Sequence, residues 1–362
     1  MRCPYRFRKE MSETPQLLSD LLGAPGPSGY EGPANDVWRD AASFADVSTS
    51  DALGSSVARI GDADAKPLFA IVGHIDEIGL VVTHVDEKGF LSFAPIGGWD
   101  PQVLLGQRVR IQTKDGPVSG VIGRKPIHLL RDEQRKKVAE LRDMHIDIGA
   151  ADDDEALERV RIGDSAVIAA DPLPLEGRKL ASRSLDNRLG VYVALEATRQ
   201  VHESGGLKGG MAAVAAVQEE IGSKGALTTS FSLRPDLAIA VDVTHATDAP
   251  GIDEKEQGRH HLGSGPVIGR GATLSPHIFE MLAETAEKND IPYTIEASGR
   301  ATHTDADAIE IARAGIPAGL VSIPLRYMHS PVEVVDLGDV EATIELLAAF
   351  ASTLGPDLDL TR

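Results

Sequence analysis

The stretch MAAVAAVQEEIGSKGA, residues 211–226, decides the fold. It opens with an apolar run, 211–217, that contains no polar residue. A run so short and uniform is how a β-strand reads when both its faces are buried, as in a parallel sheet covered by helices. DLAIAVDV at 236–243 and AGLVSIP at 318–324 read the same way, and PLFAIVGH at 67–74 precedes them. Helical patterns alternate with these runs, over 275–290, 304–315 and 338–354, with two more near 14–23 and 33–43. Ser275 before Pro276, and Gly315 behind the 304–315 pattern, are suitable helix boundaries. Strand–helix alternation predicts an α/β fold whose sheet carries helices on both faces.

The middle of the chain breaks this rhythm. From about 77 to 175 the sequence turns to short alternating strands separated by Gly, Asp-Gly and Pro turns, with one charged stretch, RDEQRKKVAELRD. That pattern predicts a small β-barrel. The expected organisation is therefore an α/β domain made of 1–76 plus 176–362, interrupted by a barrel at 77–175. Within the insert, Trp99, Val103, Leu104 and Leu105 form a local apolar cluster, readable either as the insert's own core or as a contact between copies.

The formal net charge of −19 argues against nucleic acid or an anionic membrane as partner. It fits solubility, an acidic particle or a bias toward basic substrates. No apolar run has the length of a membrane span, and the N-terminus lacks the apolar core of a secretory signal. Residues 1–10 read as an upstream start or a loose tail, with Met11 beginning a more ordinary opening. Cys3 is the only cysteine, so a disulfide framework and a thiolate zinc site are both excluded and the cytoplasm is the expected compartment. Any metal must be held by His, Asp and Glu.

Ligand sites in open α/β sheets lie at the carboxyl ends of the strands. Applied here, that filter selects His74 and Asp76 after the 67–74 run, Glu219 and Glu220 after 211–217, Asp242 in the 236–243 run, and His329 beyond 318–324. SRSLDNRLG, 182–190, adds Asp186 at the start of a helix running to about 203. Each residue alone has an ordinary explanation, as a polar strand end or a solvated helix start. Together they do not. Two adjacent anions directly after a buried strand are costly without a cation. Two His with Asp and Glu, and no Cys, suit zinc or cobalt in a hydrolytic site. Five such ligands with one shared carboxylate make a two-metal site, and a carboxylate left over can serve as general base.

His-Ile-Asp occurs twice, at 74–76 and at 145–147. Spacing cannot separate the copies, but context does. The first ends a buried strand among the other carboxylates; the second lies in the insert without such companions, so His145 reads as a bystander. His245 and the His260–His261 pair read as structural or exposed.

The chain resembles the tetrahedral-particle metallo-aminopeptidases, also called deblocking or glutamyl aminopeptidases. GHIDEIG at 73–79, IGGWDPQ at 96–102, SLDNRLG at 184–190, VQEEIGSKGA at 217–226, AVDVTHATDAPG at 240–251 and SIPLRYMHSPVE at 322–333 carry the resemblance, in the family's order, over about 15 to 355. It implies a phosphorylase/hydrolase-like sheet domain and two divalent ions per subunit, Zn2+ or Co2+. His74 and Asp242 would bind the first, Glu220 and His329 the second, with Asp186 bridging. Glu219 would activate the attacking water and pass its proton to the leaving amine. Asp76 would hydrogen-bond the far nitrogen of His74. A cis peptide would follow Asp186. Substrates would be short peptides with a free N-terminus, whose amine coordinates a metal, and dimers formed through the insert would build homo-oligomers up to a tetrahedral dodecamer.

Two stretches depart from the family pattern. Asn187 stands where a second Asp is usual, which predicts weaker support behind the bridging position. GRATHTDADAI at 299–309 is longer and more polar than the usual glycine-rich version. Its Arg300 and His303 are candidate substrate contacts that would favour acidic residues; Arg326 lies in a common family stretch and argues for nothing specific. The competing enzyme readings are another two-metal hydrolase, a carboxypeptidase or deacylase; a glycosidase is disfavoured because it needs an uncommitted pair of carboxylates. A non-catalytic peptide-binding shell is the competing class, and it would be expected to have lost Glu219 or a ligand.

Overall fold

The structure, a computed structural model, describes residues 14–356 and 358–361. The tail reading of residues 1–10, Met11 and Cys3 lie outside the described residues.

An eight-stranded sheet runs in the order Val47–Ser50, Ser56–Ile60, Gly210–Ala216, Leu68–His74, Leu237–His245, Ala318–Leu325, Val267–Gly271, Thr294–Ser298. The four central strands, from Gly210–Ala216 to Ala318–Leu325, are mutually parallel. They are the apolar runs of the sequence, and they are buried along their lengths save for the last residue, His245. The sheet is mixed because the Ser56–Ile60 and Val267–Gly271 strands pair antiparallel to this central block.

Side chains of a strand alternate between faces, and here the alternation separates two cores. Phe69, Ile71, Met211, Leu237, Ile239 and Val241 enter a large cluster with the Gln16–Gly23, Gly32–Ala41, Leu185–Ser204, Pro276–Lys288 and Leu337–Thr353 helices. Ala70, Val72, Val214, Ala216, Ala238 and Ala240 face the other way, against Ala226, Ala306 and Ile309 of the Lys224–Leu233 and Asp305–Glu310 helices. Small side chains let that second layer approach closely: a Cβ on Gly225 would meet the Val217 nitrogen at 2.4 Å. The helical pattern over 304–315 is realised only as Asp305–Glu310, because the chain then turns through left-handed Arg313 and Gly315. Ser275 caps its helix as expected, its hydroxyl accepting from the Ile278 amide.

Six strands between Gly79 and Ile168 close into a barrel, in the order Gly79–Val85, Leu91–Ile96, Met144–Asp147, Val118–Arg124, Arg108–Gln112, Ser165–Ile168. Its core includes Leu80, Leu91, Ile111, Ile146 and Ala166. The Trp99 cluster belongs mainly to this core: Leu104 is fully buried, Trp99 and Leu105 pack against it, and the Trp99 indole donates to the Gly79 carbonyl at 2.9 Å. On leaving the barrel the chain pairs antiparallel, as Lys179–Ser182, with Glu333–Asp336, which sets Ser182 opposite Glu333. That pairing brings the segments on either side of it, 183–188 and 329–333, to the carboxyl ends of the central strands. Among the described residues, no helix is long and apolar enough to cross a membrane.

Candidate metal centre

His74 is the last residue of its strand, and Asp242 lies on the neighbouring parallel strand. The Leu185–Ser204 helix lies directly on these two strands because glycines meet there. A Cβ on Gly73 would sit 2.4 Å from the Gly190 carbonyl carbon, and one on Gly190 would sit 2.5 Å from the Val241 oxygen. This close approach puts Asp186, at the helix start, 3.2 Å from His74 Nε2. Asp186 Oδ2 lies 3.3 Å from His329 Nε2, which in turn lies 3.3 Å from Glu220 Oε1. Two donor groups result, His74–Asp186–Asp242 and Asp186–Glu220–His329, each with ligand atoms within 4.8 Å of one another. Asp186 belongs to both.

The electrostatics are those of a site built around positive charge. Burial works against a charge on His74, yet Asp186 and Asp76 hold its pKa well above the ordinary value. The adjacent carboxylates of Asp186 and Glu220, which can accept from its ring, raise His329 to about 11. Burial pushes Glu219 up to about 9, with Asp242 and Asp305 adding to the effect and the His74 charge opposing it. Asp242 is likewise raised, first by burial. Asp186 goes the other way: burial opposes ionisation, but the two imidazoles hold its carboxylate well below the usual range. Glu220 Oε1 is buried without a hydrogen-bond partner despite its proximity to His329. An orphaned carboxylate oxygen among His and Asp donors fits a divalent cation.

The surrounding shell orients these groups. His74 Nδ1 lies 3.2 Å from the backbone carbonyl of Asp76 and 3.5 Å from its carboxylate. A carbonyl only accepts, so Nδ1 carries a proton and Nε2 faces Asp186, Asp242 and Glu219. The Asp76 carboxylate has other partners as well: Oδ1 accepts from the Glu219 amide at 3.0 Å, and Oδ2 from the Glu220 amide at 3.1 Å and the Ser28 hydroxyl at 2.6 Å. Asp76 thus anchors the backbone of the Glu-Glu pair. Asn187 is better supported than a missing Asp suggested. Its amide donates to the Val241 carbonyl and its oxygen accepts from the Gly190 amide, both at 2.8 Å, a pairing an ionised Asp could not complete. The Asp186–Asn187 peptide is cis.

Several residues at this shell were not singled out from the sequence. Glu333 is buried and accepts from the amides of Asp186, at 3.1 Å, and His329, at 3.0 Å. Glu77 is buried with Arg183 and Arg188, pairing with both, and Arg188 donates to the Leu21 carbonyl at 3.0 Å. Six of the non-glycine residues with positive φ lie on the site's loops, namely Ser184, Gln218, Ser223, His303, Tyr327 and His329. Left-handed backbone costs such residues about 1 kcal/mol each. The only sequence signal for this shell was charge in otherwise apolar surroundings, as in GHIDEIG and SRSLDNRLG.

The donor groups open onto a cleft of about 800 Å3 whose lining includes Thr244, His245, Glu296, Thr302, His303 and Ile311. His303 is therefore on the cleft, whereas Arg300 is exposed and outside the lining. Arg326 is committed to Asp248 through contacts of 2.9 and 2.6 Å. His245 is exposed on the cleft wall, His260 is buried against Thr294, and His261 contacts Glu254. The second His-Ile-Asp copy lies elsewhere. His145 packs edge-on against Phe90 in the barrel, and Asp147 accepts from the Gly149 amide in a turn.

The profile of the family described as M42 glutamyl aminopeptidase matches residues 54–346. The chain belongs to that family. As its class implies, this M42 peptidase is a hydrolase, a metal-dependent aminopeptidase. It is 37% identical over 354 residues to the lysyl aminopeptidase of Pyrococcus furiosus, covering 96% of this chain and 99% of that protein. A TET aminopeptidase from the marine sediment archaeon Thaumarchaeota archaeon SCGC AB-539-E09 superposes with a TM-score of 0.89 at 35% identity, covering 94% of this chain and 96% of the other. The TET1 peptidase of Pyrococcus horikoshii, which can assemble into a tetrahedron or a large octahedral shell, superposes with a TM-score of 0.82 at 34% identity, covering 93% and 98%.

Proposed function

We propose that this M42 peptidase is a two-metal aminopeptidase that removes the N-terminal residue of peptides, with Glu219 as its general base. The observation that carries the proposal is the sharing of Asp186 between two donor groups. In this reading His74 and Asp242 would hold one ion and Glu220 and His329 the other, with Asp186 contributing to both. The ions, zinc or cobalt, would supply Lewis-acid polarisation of the scissile carbonyl and acidify the attacking water.

The remaining work falls to side chains. Glu219 lies 3.9 Å from His74 Nε2 and belongs to neither donor group; burial alone keeps it protonated, and the positive charge of the two ions would leave its carboxylate ionised and free to take a proton. Its amide is tied to Asp76, and the Ser223 hydroxyl donates to its Oε1 at 3.3 Å. Held this way, Glu219 accepts the proton of the attacking water and delivers it to the leaving amine. Asp76 keeps the proton of His74 on Nδ1. No lysine or arginine is among the described residues lining the cleft, which supports recognition of a substrate amine over a terminal carboxylate.

The barrel insert, 77–175, is proposed to make contacts between copies in a homo-oligomer reaching a dodecamer. Its exposed Val121, Ile127, Leu129 and Val138 support that role, as does the assembly of the TET1 relative. A cytoplasmic location is proposed from the single cysteine.

The test pairs metal analysis with turnover of amino-acid p-nitroanilides, wild type beside Glu219→Gln. About two metals per chain, retained in a variant that has lost turnover, is the expected result. Full turnover in the variant would remove Glu219 from the mechanism, and a protein that binds no metal even after reconstitution would undo the site.

A further inference from the structure

We infer that Glu296 selects a cationic side chain, lysine or arginine, at the N-terminus of the substrate. The inference rests on the aminopeptidase reading above and adds the substrate class.

Glu296 lies on the edge strand Thr294–Ser298, is half-buried, and lines the cleft that holds the donor groups. Its Oε1 accepts from the Thr244 hydroxyl at 3.0 Å. Thr244 is two residues beyond Asp242 on the Leu237–His245 strand, so this bond ties the carboxylate to the strand that supplies a donor. Among the described residues Glu296 makes no ion pair. Its field reaches His260, but burial lowers the pKa of that imidazole, so His260 stays neutral and does not cancel the charge.

The rest of the wall supplies no competing cationic anchor. No lysine or arginine is among the described lining residues, Arg300 lies outside the cleft, and Arg326 is neutralised by Asp248. Asp307, the other lining carboxylate beyond the donor groups and Glu219, spends its oxygens on the amides of Thr302 and His303. Glu296 is left as a half-buried anion with one hydroxyl donor and no counter-ion. Such a group gains from a charge-assisted hydrogen bond to an ammonium or guanidinium and repels a substrate carboxylate. The net charge of −19 adds attraction for cationic peptides over distance. A cationic preference runs opposite to the acidic preference expected from Arg300 and His303.

The experiment measures kcat/KM of the full-length, metal-loaded enzyme on lysyl, leucyl and glutamyl p-nitroanilides. Wild type is expected to favour the lysyl substrate over the leucyl, and both over the glutamyl. Glu296→Gln keeps the oxygen that accepts from Thr244 and removes the charge; it should lower the lysyl-to-leucyl ratio by about tenfold. Glu296→Lys should raise glutamyl turnover relative to lysyl. Added salt should erode the lysyl preference of wild type more steeply than that of Glu296→Gln, in which only the long-range attraction remains to be screened. A lysyl-to-leucyl ratio unchanged in Glu296→Gln, or a wild type that prefers the glutamyl substrate, overturns the inference while the aminopeptidase reading stands. No turnover on any free-amine substrate overturns both.

Discussion

Asp76→Asn is the sharpest probe of how the Glu-Glu pair is held. The wild-type carboxylate is fully buried and takes three donors, the amides of Glu219 and Glu220 and the Ser28 hydroxyl, at 3.0, 3.1 and 2.6 Å. Burial opposes its charge, but His74, Ser28 and the Glu219 amide together hold its pKa below the ordinary value. Asparagine keeps the shape and one acceptor, and turns an NH2 toward at least one of these donors. Losing a hydrogen bond to a buried charge costs about 1.5–3 kcal/mol, and a stranded donor adds to that. The loss falls on the two backbone positions that carry the base and a donor residue, so it should appear as a fall in kcat of about 10–100-fold rather than as a rise in KM. Steady-state kinetics on the preferred p-nitroanilide, with metal content measured on the same samples, is the assay. If Asp76 acted only by fixing the His74 proton, asparagine could still accept it and kcat would change little. A kcat within about threefold of wild type at full metal loading would therefore refute the anchoring argument.

Three further perturbations follow from the same geometry. Glu333→Gln leaves only one acceptor for the amides of Asp186 and His329, and should weaken metal retention against a chelator by about 10–100-fold; unchanged retention in a folded variant would show that these amides do not depend on it. Loading the metal-free protein at pH 7.5 should release at least two protons per chain, because His74 and His329 both hold their protons above the ordinary range and must shed them to bind metal, and the Asp242 carboxyl, raised by burial, adds to the release. Titration calorimetry in two buffers of different ionisation enthalpy reads that number, and zero release would contradict the charge state derived for the site. Arg188→Met leaves Glu77 with Arg183 alone and strands the Leu21 carbonyl, and should cost about 3–5 kcal/mol in denaturant unfolding, whereas loss of less than 1 kcal/mol would mean that the buried network relaxes freely.

What the sequence disclosed follows from what is local. The central strands announced themselves as unbroken apolar runs because both faces are buried, and the residues at their carboxyl ends could be gathered by rule, without distances. His74, Glu219, Glu220, Asp242 and His329 therefore came forward together. The shell behind them did not, because its contacts join segments far apart in the chain. Glu333 meets the Asp186 amide across 147 positions, and Arg188 meets Glu77 across 111. Nothing in the spacing of SPVE or NRLG announces those meetings. The Glu333 contact depends on the pairing of Lys179–Ser182 with Glu333–Asp336, and the ion network on the glycine contact that seats the Leu185–Ser204 helix against the His74 strand. The cleft wall was harder still. Arg300 and His303 are adjacent to one turn of chain, yet one side chain reaches the cleft and the other does not.

Glu31 shows how far that hidden shell extends, and it makes the last test. It is buried, and its Oε1 accepts from the amides of Gly29 and Gln218, the latter one residue before the Glu-Glu pair. Burial raises its pKa from 4.5 to about 7, with the Asp76 charge adding and the two amides opposing. The unfolded chain gives up this proton near pH 4.5 while the folded chain keeps it until about 7, so the folded state binds more protons between those values. Stability contributed by this group is therefore present at low pH and declines as pH rises through that window, by up to about 3 kcal/mol. Glu31→Gln retains the oxygen that serves both amides and cannot titrate. In metal-free protein its stability relative to wild type should climb from pH 4.5 to 7 and then level off. A difference that stays flat across the window would mean that Glu31 ionises as freely in the folded chain as in the unfolded one, and that the buried acidic shell is balanced by something other than a retained proton.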